Sequence, residues 1–516
     1  MPETPNPAAA AEPVPHRALI TVCAMVATLM QALDGTIANV ALPYMQGGLA
    51  ATADQITWVL TSYITAAAIM TAPVGFLAAR FGRKRVFLVS VGGFTLASAL
   101  CGAAQSLDEM VLFRLLQGAF GAALVPLSQS TMLDIYPPER RGSAMAIWGM
   151  GVMVGPILGP TLGGWFTSSY SWRWVFYVNL PFGLLAFLGL WAFMSGEERT
   201  ERRAFDWLGF GVLSLGIGAL QIMLDRGELK AWFGSTEIVV EAALAALGIY
   251  LFLVHMLTGE RPFIPPRIFR DRNFLGGLGL MFAVGVILFA TSALVAPYLQ
   301  TLGDYPVFTA GLLMAPRGLG TMAALVVAGR LADRIDPRAL ILVGILVLVW
   351  TMYDMTGWTP AVSQWTLATT TILQGIGIGL VFNPLQVVAF ATLDPALRTD
   401  GTALISLVRN IGSAIGISAM SALLTRNTQA VHSELVPFVT PLNRVFELPG
   451  VRQFWDPSTA AGAAALNAEV TRQASIIAYV DDFKLLMLLA LAMLLLLPLM
   501  RRPARGGAAA GHAAMD

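Results

Sequence analysis

Fourteen stretches of this chain are apolar over about the thickness of a bilayer, and no other property limits its fold so tightly. They run approximately over 18–42, 57–79, 86–105, 110–133, 142–166, 173–194, 205–225, 237–257, 274–299, 308–329, 339–356, 364–391, 402–424 and 480–500. A hydrocarbon core of about 30 Å takes about 20 helical residues to cross. Inside it, only a helix satisfies all of its backbone groups within one segment. The expected fold is an all-α integral membrane protein with fourteen transmembrane helices. Of the 516 residues, 56% are apolar and 12% charged, against roughly 25% charged in a soluble domain. The net charge of +1 gives no reason to expect a nucleic-acid partner. The proline-rich, polar segment 1–17 and the segment 501–516 read as disordered tails.

Basic residues collect in the connections after even-numbered spans. These hold Arg80, Arg83, Lys84 and Arg85, then Arg140 and Arg141, then Arg199, Arg202 and Arg203. Further on they hold Arg261, Arg267, Arg270 and Arg272, then Arg330, Arg334 and Arg338, then Arg398. The short connections after odd-numbered spans hold Arg173, Arg226 and Lys230. By the positive-inside rule the even-side loops and both termini are cytoplasmic. The connection 425–479 is left out of that comparison, because long loops cross largely regardless of charge.

The chain repeats itself. "GFLAARFGRKR" (Gly75–Arg85) joins spans 2 and 3, and "GRLADRIDPRA" (Gly329–Ala339) joins spans 10 and 11. "PPERRGSAMA" precedes span 5, and "DPALRTDGTALI" precedes span 13. Spans 1–6 therefore match spans 9–14 in the same orientation, as parallel repeats. The expected organisation is a six-helix bundle over 18–194, two inserted helices within 195–260, and a second six-helix bundle over 261–500. The second bundle carries the periplasmic loop 425–479, where the alanine-rich stretch around Glu469 and Arg472 is expected to be helical.

Several polar residues fall inside apolar spans, where a charge is costly and faces protein or water. Asp34 lies about eight residues, or about 12 Å, inside a span 1 that ends ahead of Pro43. Arg114 lies about four residues, or about 6 Å, inside span 4. The two are at comparable depth, so Arg114 either pairs with Asp34 or snorkels to the interface. Thr36 and Asn39 are read as polar company for Asp34. In span 5, Gly151, Gly155, Gly159 and Gly163 recur every four residues and form one smooth face, beside Gly164. Small residues at that spacing let two helices approach closely, and Pro156 and Pro160 remove donors and bend the helix. Gly75 and Gly82 permit a tight turn in the first cytoplasmic loop. In the second half, Arg317 and Arg409 sit within spans 10 and 13. Each could bind an anionic substrate, neutralise a carboxylate or brace helices. Gln46, Trp58, Tyr63, Gln117, Gln129, Asn179, Asn383 and Gln386 are further polar or aromatic candidates to line a cavity.

The stretches "LDGTIANVALP", "RLLQGAFGAALVPLSQS", "GVMVGPILGPTLGGW" and "TERRAFDWLGFGVLSLGIGALQIMLDRG" resemble the fourteen-helix drug:proton antiporter branch of the major facilitator superfamily. The resemblance implies a proton-driven efflux antiporter in a bacterial inner membrane. It would export hydrophobic or amphipathic compounds and use the proton gradient in place of a cofactor. The runner-up is an exporter of one endogenous metabolite. Asp34, the only acid deep in the first-half spans, is read with Arg114 as the proton-coupling pair, and Gln117, Gln129, Arg317, Asn383 and Arg409 are read from their polarity as substrate-lining candidates. The resemblance makes Gly151–Gly164 the antiporter motif and Gly75, Arg80, Gly82, Arg83, Asp333 and Arg334 the cytoplasmic gate. The family usually has an acid before the first arginine of the gate loop, where this chain has Ala79. That weakens the first-half latch and favours Asp333 in the second. Loop 425–479 is then either the contact for a periplasmic adaptor leading to an outer-membrane channel, or a self-packed cap.

Other classes lack their chemistry. Lys84, Lys230 and Lys484 are followed by Arg, Ala and Leu, so no phosphate-binding loop is present. The histidines His16, His255, His432 and His512 form no metal-ligand pair. No enzyme and no bound metal are expected.

Overall fold

In the computed structural model, the described residues are 15–137, 140–196, 204–259, 262–332, 334–439, 446, 448, 451 and 455–501. Within them the side chains of 53, 54, 156, 157, 160, 161, 307 and 308 are not described. Asp333, Arg199, Arg202, Arg203, Arg261 and the tails 1–14 and 502–516 lie outside the described residues. So do the side chains of Pro156 and Pro160.

Every expected span is helical. Among the described residues, twelve helices are long and apolar enough to cross a membrane, including Arg17–Gly48, Arg83–Ala103, Leu107–Ile135, Trp174–Phe193 and Gln364–Ala391. Span 2 is a bent pair, Trp58–Thr71 and Val74–Phe81, with 55° between its parts. Pro73 stands at the break, where it lacks an N–H to continue the helix. Span 5 is the unbroken helix Arg141–Ser169.

Two expectations about helix ends fail. Span 1 runs from Arg17 to Gly48 and carries Pro43 inside it. The ring removes the bond to the carbonyl of Asn39, an exposed position, and the helix continues past it. Asp34 therefore lies about 21 Å from the helix end rather than about 12 Å. The connection 425–479 is largely not a loop. Span 13 is a 38-residue helix, Arg398–Leu435, and span 14 is a 34-residue helix, Ala460–Met493. At 1.5 Å per residue both far exceed a core of about 30 Å. The stretch with Glu469 and Arg472 is helical as expected, and His432 meets Asn467 across the two extensions at 3.1 Å.

The chain divides into two compact units. Unit 1 holds residues 1–205 with Ala396–Ala403, and unit 2 holds Asp206–Pro395 with Leu404–Asp516. Within unit 1, span 1 packs on spans 4, 5 and 6, span 2 on span 4, and span 3 on spans 4 and 6. Unit 2 repeats the plan. Span 9 packs on spans 12 and 14, span 10 on span 12, and span 11 on spans 12 and 14. Span 9 also meets span 13 through Gly285, Gly412 and Gly416. The inserted spans 7 and 8 pack on each other at Gly216 and Gly248, where a Cβ would overlap the facing backbone.

Candidate functional site

Asp34 sits where two apolar clusters of unit 1 meet. One contains Met30, Phe87, Phe94 and Leu124, and the other Leu33, Ile37, Val59 and Phe176. Asp34, Arg114 and Gln117 are all fully buried. Arg114 Nη1 donates to Asp34 Oδ2 at 2.7 Å and to Gln117 Oε1 at 2.8 Å. Its Nε donates to the Val59 carbonyl at 3.1 Å. Asp34 Oδ1 accepts from Gln117 Nε2 at 2.8 Å and from Asn179 Nδ2 at 3.3 Å. Arg114 does not snorkel. Its guanidinium lies 4.1 Å from the Tyr63 ring centroid and 5.6 Å from that of Phe176, within cation–π range.

Five spans build this network: span 1 gives Asp34, span 2 Tyr63 and the Val59 carbonyl, and span 4 Arg114 and Gln117. Span 6 gives Asn179, which also donates to Ser98 Oγ of span 3 at 3.1 Å. Ser98 in turn donates to the Phe176 carbonyl at 2.9 Å. Both oxygens of the carboxylate are satisfied in a site walled by apolar side chains, where an ion pair is strongly coupled to its surroundings.

The glycine face of span 5 fixes span 1 from behind. A Cβ on Gly155 would overlap the backbone of Ala32, and one on Gly159 would overlap Thr36 Oγ1. A Cβ on Gly163 would come 2.9 Å from the Ile37 carbonyl. Gly151 makes only ordinary contact with Met25, and Gly164 has nothing within 4 Å, so it lies off the seam. Thr36 belongs to this seam rather than to Asp34, since its hydroxyl donates to the Gly155 carbonyl at 3.1 Å. Two residues on, a helix has turned about 200°, so Thr36 and Asp34 face opposite ways. Asn39 is exposed and does not join the network.

The Gly75–Arg85 loop finds its acids elsewhere in the chain. Asp134, at the end of span 4, accepts from Arg83 Nη1 at 2.5 Å and from Arg398 Nη1 at 2.9 Å. A Cβ on Gly75 would overlap Asp400, whose Cα would be 2.8 Å away. These partners stand where Ala79 offers no carboxylate. Gly82 joins spans 2 and 3 at φ 86°, a backbone that other residues rarely adopt. At the matching turn of unit 2, Asp336 has φ −62° and caps span 11 through the Arg338 N–H. The two turns differ, which accounts for the missing glycine. Arg80 is exposed over the Phe81 ring, and Arg334 is exposed.

The remaining candidates do not join the Asp34 network. Gln129 is buried in the inner part of span 4. Its neighbour Ser128 meets Thr28, and accepts from Trp148 Nε1 at 2.8 Å, a link that no motif announced. Arg317, Asn383 and Arg409 lie in unit 2. Arg317 does brace helices: Nη1 donates to Ser292 Oγ at 2.8 Å and Nη2 to the Leu288 carbonyl at 2.7 Å.

A helical membrane protein of two repeated units, with an acid–arginine pair buried in the first, is the architecture of a secondary transporter. The family profile of the Major Facilitator Superfamily matches residues 24–417, and the chain belongs to that superfamily. It is 36% identical over 431 residues to the multidrug export protein EmrB of Haemophilus influenzae, covering 83% of this chain and 84% of the relative. It is 35% identical over 430 residues to the fatty acid resistance protein FarB of Neisseria gonorrhoeae, covering 82% and 84%. Among solved structures, the proton:xylose symporter XylE aligns over 91% of this chain and 95% of that one, at a TM-score of 0.57 and 15% identity. The human organic anion transporter MFSD10 aligns over 92% and 98%, at a TM-score of 0.57 and 16% identity. At such identities the structural matches speak for the fold alone.

Proposed function

We propose that the protein exports hydrophobic or amphipathic compounds across a bacterial inner membrane, driven by the proton gradient, with both termini in the cytoplasm. The observation that carries this is the buried Asp34–Arg114 pair. A buried ion pair is costly to desolvate and adds little net stability, so ionisable residues placed within a membrane span point to function. In this reading Asp34 takes a proton from the periplasmic side and releases it to the cytoplasm. Arg114, Gln117 and Asn179 hold the carboxylate while it is charged. Protonation weakens the bonds from Arg114 and Gln117, and so loosens spans 1, 4 and 6 together. The substrate site then faces one side of the membrane and later the other.

The relatives named for multidrug export and fatty acid resistance support export of many compounds over one metabolite. The glycine seam between spans 1 and 5 serves as the antiporter motif, holding span 1 rigid behind Asp34. Arg83, Asp134, Arg398 and Asp400 serve as the cytoplasmic latch. The helical extensions of spans 13 and 14 are the contact for a periplasmic adaptor. Phe438 on this segment is 76% exposed, as a docking residue would be before its partner arrives.

The test uses purified protein in vesicles with an imposed pH gradient. A fluorescent amphipathic cation and a neutral dye should each move against protons, and collapsing the gradient should stop them. Flux that ignores the gradient would remove the proton-driven reading.

A further inference from the structure

The repeat allows unit 2 to be laid over unit 1 residue by residue. Gly412 and Gly416 of span 13 lie on Phe282 and Val286 of span 9, as Gly155 and Gly159 lie on Ala32 and Thr36 of span 1. Val284, midway between and buried, therefore holds the place of Asp34. Gly375 packs on the carbonyl of Arg317, as Gly118 packs on that of Tyr63. Gln374 then repeats Gln117, Thr371 repeats Arg114, and Arg317 repeats Tyr63. The carboxylate is gone from this position of unit 2, and donors and positive charge remain around it.

Those donors lack a matching acceptor. Gln117 Nε2 bonds Asp34, whereas Gln374 Nε2 is buried without a partner. Arg317 reaches only a hydroxyl and a backbone carbonyl. Among the described residues the Arg409 guanidinium has one hydrogen bond, at 3.5 Å to its neighbour Asn410, and its buried Nε has no partner. Its own carbonyl abuts Gly285, the residue after Val284. Neither arginine has a carboxylate within 4.0 Å among the described residues. Two guanidinium groups in membrane spans without a counter-ion are costly and call for an anion or water. A guanidinium and an amide are what hold the carboxylate in unit 1.

We propose that unit 2 recognises the carboxylate of an amphipathic anionic substrate, which takes among Gln374, Arg317 and Arg409 the part that Asp34 plays in unit 1. This rests on the export reading and names one substrate class for it. Depth argues for a free amphiphile over a lipid headgroup. Arg409 lies eleven residues, or about 17 Å, along span 13 from Arg398 at its cytoplasmic start. Headgroups stay at the interface, and a single-chain carboxylate can enter with its tail among the apolar spans.

The experiment compares binding of dodecanoate and dodecyltrimethylammonium, equal in tail, to the full-length protein in phosphatidylcholine nanodiscs. Wild type should prefer the carboxylate. That preference should fall about tenfold, the worth of one charged hydrogen bond, in Arg409→Gln. It should fall similarly in Val284→Asp, which supplies an internal counter-ion. Arg409→Lys and Val284→Asn should keep most of it. A wild type without preference, or a preference unmoved in both charge-changing variants, would overturn the proposal, and the wild-type result decides even where a variant does not fold. Phosphatidylglycerol added to the nanodiscs should leave dodecanoate affinity within about twofold. Competition by phosphatidylglycerol that Arg409→Gln removes would assign the site to lipid and overturn the substrate assignment. Failure of the export reading is separate, since it appears as the absence of gradient-driven flux of a neutral dye by wild type.

Discussion

In unit 1 the buried arginine, Arg114, finds a carboxylate at 2.7 Å; in unit 2 the buried arginine, Arg317, finds a serine hydroxyl and a carbonyl. The same helix plan and the same glycine seams carry both. What differs is a few side chains: Asp34 against Val284, Arg114 against Thr371, Tyr63 against Arg317. A duplicated bundle can thus divide two tasks. The half whose charges close on each other can trade a proton. The half whose positive charges stay open can attract an anion. On the proposed reading the fold supplies the frame for both tasks, and single residues decide which task each half performs.

The largest contrast should come from removing each arginine. Arg114→Leu leaves Asp34 buried without its partner and should cost about 3–5 kcal/mol of stability. Arg317→Leu removes an uncompensated cation and two neutral acceptors' bonds, and should cost about 1–2 kcal/mol. Thermal unfolding of the two purified variants separates these values, and equal losses would break the contrast. Next come the glycine seams. Gly155→Leu should cost about 3 kcal/mol by overpacking, and Gly416→Leu about the same, while Gly164→Leu stays within about 0.5 kcal/mol of wild type. The same unfolding assay reads all three, and a costly Gly164→Leu would mean that the seam is misassigned.

The glutamines sharpen the comparison further. Gln117→Leu should cost about 1.5–3 kcal/mol, because it strips a charged acceptor of a bond. Gln374→Leu, in ligand-free protein, should be near neutral, because its Nε2 has no partner to lose. The smallest effect is at the turns. Gly82→Ala should cost about 1 kcal/mol from its positive φ, and Asp336→Ala about 1 kcal/mol from a lost cap. If Gly82→Ala stabilised the protein, the two turns would not differ as described.

Much of this architecture was legible in the residues. The number of apolar spans and the repeat follow from bilayer thickness and pattern, whereas the depth that suggested the Asp34–Arg114 pair rested on an end at Pro43 that span 1 does not have. The partner of the span 5 glycines was not legible, since spacing shows a smooth face and not what meets it. Asn179 was legible as a cavity candidate but not as a partner of Asp34, and Ser98 escaped altogether: Asn179 reaches Asp34, and Ser98 reaches Asn179, only because spans 3 and 6 converge near span 1, a long-range fact. Thr36 was misread by nearness in sequence, which a helix contradicts every two residues. Pro43 was taken as an end because a proline breaks one bond, although a helix can continue past it. Asp134 and Arg398 lie far from the gate loop in sequence, so the absence of an acid at Ala79 misled.

The most direct test of the account is Asp34→Asn in vesicles, measured two ways. Counterflow exchange of a labelled substrate needs the protein to cycle, and gradient-driven accumulation also needs it to carry a proton. The account predicts that Asp34→Asn keeps counterflow at a reduced rate and loses gradient-driven accumulation. Accumulation at the wild-type level in Asp34→Asn would contradict it.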